Sequence, residues 1–363
     1  MKEIIKCIEK YIEITNDNGF IIHWKKLSEK LIEGIQSNYS NREDKIVKII
    51  ESIINRVGTF KTQGKGQKYS ISTSSIFIHG NKSQVEFIYY GEKKQRELGD
   101  IIFILSVVYN GKKYFEKMTI NQVKKSKDIS WRFSNQSAKE QLYLLSRFPT
   151  FKGIKRSFIP SKEYNLSNNY GCLGTHGLLY SPGDFALVSS KELEVLLSMK
   201  NTLRLDDLLK LERKAMVCSC CIFHDVEECI YIFHKFIHYY PRCLEYFPFV
   251  CDLPVLGNKC ISYNVYDFSN KYLLGHIGEL IYAKELPYNN SAFQFLQDLL
   301  NAIGRKANRE NLSDNISKFM SSFYKYEYAD SWNGGGIEEY GKVDYEDGGI
   351  GIIHTNVNLG EGE

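Results

Sequence analysis

An almost unbroken apolar run, Ile101–Tyr109, stops at Asn110-Gly111 and is followed by a second strand-like stretch, Lys113–Lys124. Asn-Gly is the strongest short hairpin signal, because both of its residues tolerate positive φ. A strand so continuously apolar must be covered on both faces. The chain is therefore committed to a central antiparallel strand pair with layers above and below it.

The segments around this hairpin supply candidates for those layers. Ile4, Ile5, Ile8, Tyr11 and Ile12 recur at helical spacing, with Asn18-Gly19 as a stop, and a second helix is expected over about 22–34. Ser40-Asn41-Arg42-Glu43 has the spacing of a capping box and opens a third helix to about Val57, apolar over more than half its girth. Ser70–His79 and Gln84–Tyr90 are rich in β-branched and aromatic residues, as strands are. Ser137-Ala138-Lys139-Glu140 again matches a capping box, before a helix that turns Leu142, Leu145 and Phe148 inward and stops at Pro149. The order is helix, three strands, helix. Residues 165–181, rich in Gly, Asn and Ser, suggest a long loop or linker. Helix is expected over about 190–240 and 291–323, and a strand or hairpin around Ile350, Ile352 and Ile353. These segments give an α/β fold with a central mixed sheet, divided as a helical N-terminal segment (1–40), a core (41–164) and an α+β accessory or regulatory domain (165–363).

No run of ~18 uncharged apolar residues occurs and the first helix is studded with charge, so neither a membrane span nor a signal peptide is expected. Nine cysteines scattered without a framework fit reduced thiols, and hence a cytoplasmic protein. The net charge of +4 hides a division along the chain. Residues 51–163 carry 21 Lys and Arg against nine Asp and Glu, whereas 201–363 carry 15 against 23. A basic module fits a polyanionic partner, since Lys and Arg on phosphates release counterions; the bland alternative is a solvated basic surface. Lys65, Lys68, Lys93, Lys94, Arg96, Lys125, Lys127, Lys152, Lys155 and Arg156 lie on loops or element ends where phosphates could reach them. Trp131, Phe133 and Tyr143 are candidates to stack on bases, although single aromatics more often serve the core.

The chemistry centres on the hairpin's open end. Asp100 begins one strand and Gln122-Val123-Lys124 ends the other, bringing a carboxylate for a hard cation close to an ammonium for an attacking water or developing charge. Gln122 and Lys124, two apart, share a face. A strict two-residue loop pairs Tyr109 with Lys112 and sets Asp100 opposite Asn121. One β-bulge, or a three-residue loop, sets it opposite Gln122 instead. The structural alternative makes Asp100 a strand-end turn residue and Lys124 a solvated tail.

The layout of helix, hairpin with Asp100, Gln122-x-Lys124 and helix, over roughly residues 44–160, resembles the αβββα core of the PD-(D/E)XK nuclease superfamily. It is especially similar to the Mrr-like branch, in which glutamine can replace the usual glutamate. The resemblance implies that Asp100 and Gln122 hold Mg²⁺ (or Mn²⁺), that Lys124 orients the attacking water, and that Glu51 is the helix glutamate. It implies a DNA endonuclease, an effector of prokaryotic anti-phage defence, with a further protein partner or a homo-oligomer. The sequence departs from the pattern in having Gly99 where proline is usual and one acid fewer at the metal. The alternative is an inactive nuclease-fold subunit that binds nucleic acid or serves as a scaffold.

Other constellations compete less well. Cys218, Cys220, Cys221, His224, Cys229, His234 and His238 have zinc-ligand side chains but not two properly spaced pairs, so no zinc is expected. Cys172 with His176 lacks a third orienting residue for a nucleophile. Residues 326–363 hold nine acids against the one base Lys342, which fits either a solvated acidic tail or a segment that docks on the basic module and restrains DNA binding.

Overall fold

A computed structural model of the chain describes residues 2–57, 59–61, 69–79, 83–155, 157–169, 171–198, 202–204, 206–207, 254–258, 260–309, 314–330 and 349–360. Three helices come first, α1 (Lys2–Thr15), α2 (Asn18–Asn38) and α3 (Glu43–Val57). Then follow β1 (Phe60–Lys61), β2 (Ser70–His79), β3 (Gln84–Tyr89), β4 (Glu92–Glu97), β5 (Ile101–Tyr109), β6 (Lys112–Ser126), β7 (Ser130–Arg132), α4 (Gln136–Arg147) and β8 (Phe151–Gly153). The remainder comprises β9 (Gly174–Tyr180), β10 (Asp184–Ser189), α5 (Ser190–Leu197), β11 (Thr202–Arg204), β12 (Ile261–Ser262), α6 (Val265–Leu273), β13 (Glu279–Ala283), α7 (Asn290–Arg309), α8 (Asp314–Phe323), β14 (Glu327–Tyr328) and β15 (Gly349–Asn358).

The fold is a mixed α/β one around a ten-stranded sheet whose main path runs β1-β2-β15-β5-β6-β9-β10-β12. β5 and β6 pair antiparallel, β9 runs parallel to β6, and β15 is wedged between β2 and β5, antiparallel to the first and parallel to the second. Alternation along β5 divides the covering layers. Ile101, Phe103, Leu105 and Val107 face a core with α1, α2, α3 and α6, while Ile102 and Ile104 face one with α4, α7 and α8. The hairpin β3-β4 leaves the main sheet to pair with β8, and Arg96 on β4 is ion-paired with the buried Glu140 of α4.

Several local expectations move. Asn18-Gly19 opens α2 instead of ending α1: the Asp17 carboxylate caps it, accepting from Gly19 N at 2.9 Å and Phe20 N at 3.3 Å. Asn135 caps α4, accepting from Ala138 N at 2.7 Å, which releases Glu140 for Arg96. The stretch read as a linker contains β9, a buried strand beside β6. Its glycines mark close packing: a Cβ on Gly174 would lie 2.0 Å from Leu145 O, and one on Gly177 2.5 Å from a Phe185 ring atom.

The boundary expected at 164/165 falls inside one hydrogen-bonded sheet, since β5 and β6 share it with β9, β10, β12, β13, β14 and β15. Within the acidic end of the chain, β15 is a central strand, buried from Gly349 to Val357. Glu338, Glu339, Asp344, Glu346 and Asp347 lie outside the described residues, as does the Cys218–His238 cluster. Among the described residues no helix is long and apolar enough to cross a membrane.

Candidate functional site

The hairpin turn has two residues, with Asn110 and Gly111 at φ of 49° and 71° and Tyr109 paired with Lys112. Val108 pairs with Lys113 but Val107 with Phe115, so Tyr114 is the extra residue of a bulge. Every pair beyond it is shifted by one, down to Ile101 opposite Asn121, where the ladder ends; Asp100, just before β5, meets Gln122 through its side chain. Gly99 lets the chain run close over β6 before β5 begins, because a Cβ there would sit 2.9 Å from Ile120 Cγ2. Asp100 N donates to Asn121 O at 2.8 Å, and Gly351 N of β15 donates to Asp100 O at 2.8 Å. The backbone is thus clamped from both neighbouring strands.

The Asp100 side chain reaches across β6. Its Oδ2 accepts from Val123 N at 2.6 Å and from the Gln122 carboxamide nitrogen, while Gln141 Nε2 of α4 donates to Gln122 Oε1 at 2.9 Å. Two acids that were not anticipated complete the surroundings. Glu43, the first residue of α3, places Oε1 3.9 Å from Lys124 Nζ, and Glu97 ends β4 just before Asp100. Desolvation, then repulsion from Glu43, pushes the Asp100 carboxyl up to about 8, against the pull of Lys124 and the Val123 amide. Glu43 and Glu97 are raised as well, in both cases first by burial. Asp100 keeps part of its surface open to solvent.

These residues fit a hard divalent cation by their donors and by their charge. The Asp100 carboxylate, the Gln122 carboxamide oxygen and the Val123 carbonyl, 3.4 Å from Gln122 Nε2, are all oxygen ligands. Three acids around one lysine leave negative charge that a cation would relieve, and repulsion from Glu43 adds to the desolvation that raises Asp100. Among the described residues no three His, Cys, Asp or Glu side chains form a ready-made ligand cluster. The protein would therefore contribute one carboxylate and neutral oxygens, leaving water to fill the rest of an octahedron.

Of the residues singled out by sequence, Asp100, Gln122 and Lys124 come together, and Glu51 of α3 lies at the adjoining strand end, its Cγ and Asp100 O each 3.7 Å from the point that a Cβ on Gly351 would occupy. Glu51 is engaged with the Ser75 hydroxyl, and burial raises its carboxyl. Glu43 is the acid that α3 presents to Lys124. Its spacing from Ser40 suggested a capping role, which the helix start at Glu43 rules out.

Many of the basic candidates are already occupied. Lys93 and Lys152 pair with Glu86 at 3.1 and 3.9 Å, and Lys94 with Glu92 at 2.6 Å. Lys125 donates to the Tyr39 and Asn41 carbonyls and lies 4.5 Å over the Tyr39 ring. Lys127 and Lys155 are exposed with no hydrogen bond or ion pair among the described residues, whereas Lys65, Lys68 and Arg156 lie outside them. Trp131 and Phe133 are buried in the core. Tyr143 packs edge-on against Tyr89 beside Tyr90, which is 73% exposed. Cys172 is buried, its thiol pushed well up by desolvation and by a hydrogen bond with Cys260, the opposite of an activated nucleophile.

Comparison with protein-family models, curated proteins and solved structures finds no match to the chain.

Proposed function

We propose that this protein is a divalent-metal-dependent DNA endonuclease built on a PD-(D/E)XK-like core, with Asp100, Gln122 and Lys124 as its site and Glu43 as the helix acid. The observation that carries this is the Tyr114 bulge, which shifts the ladder so that Ile101 meets Asn121 and the Asp100 side chain reaches Gln122, with Lys124 two residues on along β6. The succession α3, β2, β5, β6, α4, with β9 returning parallel to β6, supports the same core; the insertion of β15 between β2 and β5 departs from it.

Asp100 and Gln122 would hold Mg²⁺ or Mn²⁺, which when bound lowers the pKa of a coordinated water and stabilises charge on the phosphoryl oxygens. Lys124 orients the attacking water and faces the negative charge that develops as the phosphodiester opens. Glu43 sets the direction of the Lys124 ammonium from the end of α3. Among the described basic candidates, Lys127 and Lys155 are exposed without an ion pair and would meet the phosphate backbone.

The test is incubation of supercoiled and linear DNA with the full chain in Mg²⁺ or Mn²⁺, beside Asp100→Ala and Lys124→Ala. Metal-dependent cleavage lost in both variants is expected, and cleavage retained in both would place the chemistry elsewhere. One observation favours an inactive binding subunit instead: the Gln122 carboxamide already donates to Asp100, satisfying the carboxylate without a cation. DNA binding without cleavage by the parent under either metal would select that alternative.

A further inference from the structure

His176 in β9 is the register partner of Gln122 in β6. Partners in adjacent strands turn their side chains to the same face, here the face covered by α4 and α5. The ring is wholly buried and packs edge-on against Phe133 at 5.3 Å between centroids. Nδ1 lies 2.8 Å from the hydroxyl of Ser190, the first residue of α5, whereas Nε2 has no hydrogen-bond partner among the described residues. A buried polar atom without a partner is costly, and such atoms mark places where a second arrangement satisfies them. Desolvation, with the positive charge of Lys124, holds this imidazole neutral, so one nitrogen carries hydrogen and the other a lone pair.

Gln122 is the group with two arrangements. As it stands, its nitrogen faces Asp100 and its oxygen accepts from Gln141. A cation on Asp100 requires the reverse, because a carboxamide ligates a hard metal through oxygen. Turning the carboxamide end for end sends two N–H groups to the other side. Gln141, turned in step, can accept one through its own oxygen, which leaves the second without an acceptor. We propose that His176 is the positioning residue that supplies it: with Nδ1–H donating to Ser190, the bare Nε2 accepts from Gln122 and holds its oxygen toward the cation. This rests on the cation site proposed above.

The experiment measures Mn²⁺ binding to the full chain by titration against the electron-spin-resonance signal of free Mn²⁺. It compares the parent, His176→Leu, His176→Gln, Gln122→Glu and the double variant His176→Leu with Gln122→Glu, each checked for its thermal transition. His176→Leu should weaken Mn²⁺ about ten- to a hundredfold, the range for loss of a group that orients a metal ligand. His176→Gln, which keeps an acceptor oxygen, should lose less. In the Gln122→Glu background His176→Leu should change nothing, because a carboxylate has no N–H to place. Equal loss in both backgrounds, or no loss in the parent, would overturn the inference while leaving the cation site standing. If the parent shows no Mn²⁺ binding that Asp100→Ala removes, the cation site itself fails and the inference with it.

Discussion

The Asp100 side chain reaches Gln122 at the end of a ladder that Tyr114, the odd residue of a bulge near the turn at the far end of the same strand pair, shifts by one. Without the bulge Ile101 would pair with Ile120 in place of Asn121, turning the faces of β6 over relative to β5.

Asp100→Ala should abolish Mn²⁺ binding and DNA cleavage while leaving the fold and DNA affinity intact, checked by metal titration, gel shift and circular dichroism. Lys124→Ala should keep the cation but lose on the order of a hundredfold or more in cleavage rate, the scale of ~3 kcal/mol for a group that stabilises developing charge. Loss of the cation in Lys124→Ala would contradict its assignment to the water.

Glu43→Gln should reduce cleavage and bring the Asp100 carboxyl down, since Glu43 is the foremost charge that raises it. Glu51→Gln should leave cleavage unchanged, because Glu51 is engaged with Ser75. Parallel rate measurements decide between them, and the reverse ranking would restore Glu51 as the helix acid.

Stability should depend on pH through Asp100. Its carboxyl lies at about 8 in the folded, cation-free chain against an ordinary 3.8, so between these values the folded state holds a proton that the unfolded state has released. The contribution is fully present below about 4 and is lost as pH rises through about 8. Glu43 and Glu97, also raised, act in the same sense. The melting temperature without metal should therefore fall across this window, and less steeply in Asp100→Asn. Mn²⁺ competes with the same proton, so its stabilising increment should be larger at pH 8.5 than at pH 6. A rise in Tm toward pH 8 that Asp100→Asn abolishes would contradict the assignment.

Lys127→Ala and Lys155→Ala should each weaken DNA binding evenly across sequences and lower the slope of log affinity against log salt by about one. Lys125→Ala should instead lower the melting temperature, because its ammonium ties β6 to the carbonyls after α2. Binding isotherms at several salt concentrations separate the two effects.

Lys113 and Glu116 form a wholly buried pair, 3.1 Å apart, in which Glu116 also accepts from Ser106 Oγ at 2.7 Å and Tyr328 OH at 2.8 Å. Glu116→Ala should cost ~3–5 kcal/mol by urea denaturation, since it strands a buried lysine. Lys113→Met combined with Glu116→Met should cost less than the single change, and equal costs would argue against the pairing.

The amphipathic first helix, the β5-β6 hairpin and the inward face of α4 were legible in the sequence, because period and turn chemistry are local. So was the nearness of Asp100, Gln122 and Lys124, which lie at the open end of one hairpin. Which residue Asp100 meets was not legible, since a bulge at Tyr114 depends on how β6 pairs with its neighbours along its length. β9 escaped notice because Gly174 and Gly177, the usual signs of a turn, here admit Leu145 and Phe185 against the strand. Glu43, Gln141 and His176 come to the site from α3, α4 and β9, whose positions relative to the hairpin are set by packing across the sheet. Strands from both sides of 164/165 share one sheet for the same reason: β15, more than two hundred residues beyond β5, carries Ile350, Ile352 and Ile353, and a slot between β2 and β5 buries both of its faces. Local periodicity determined which segments became helix or strand, whereas burial and backbone pairing between distant segments decided which side chains meet.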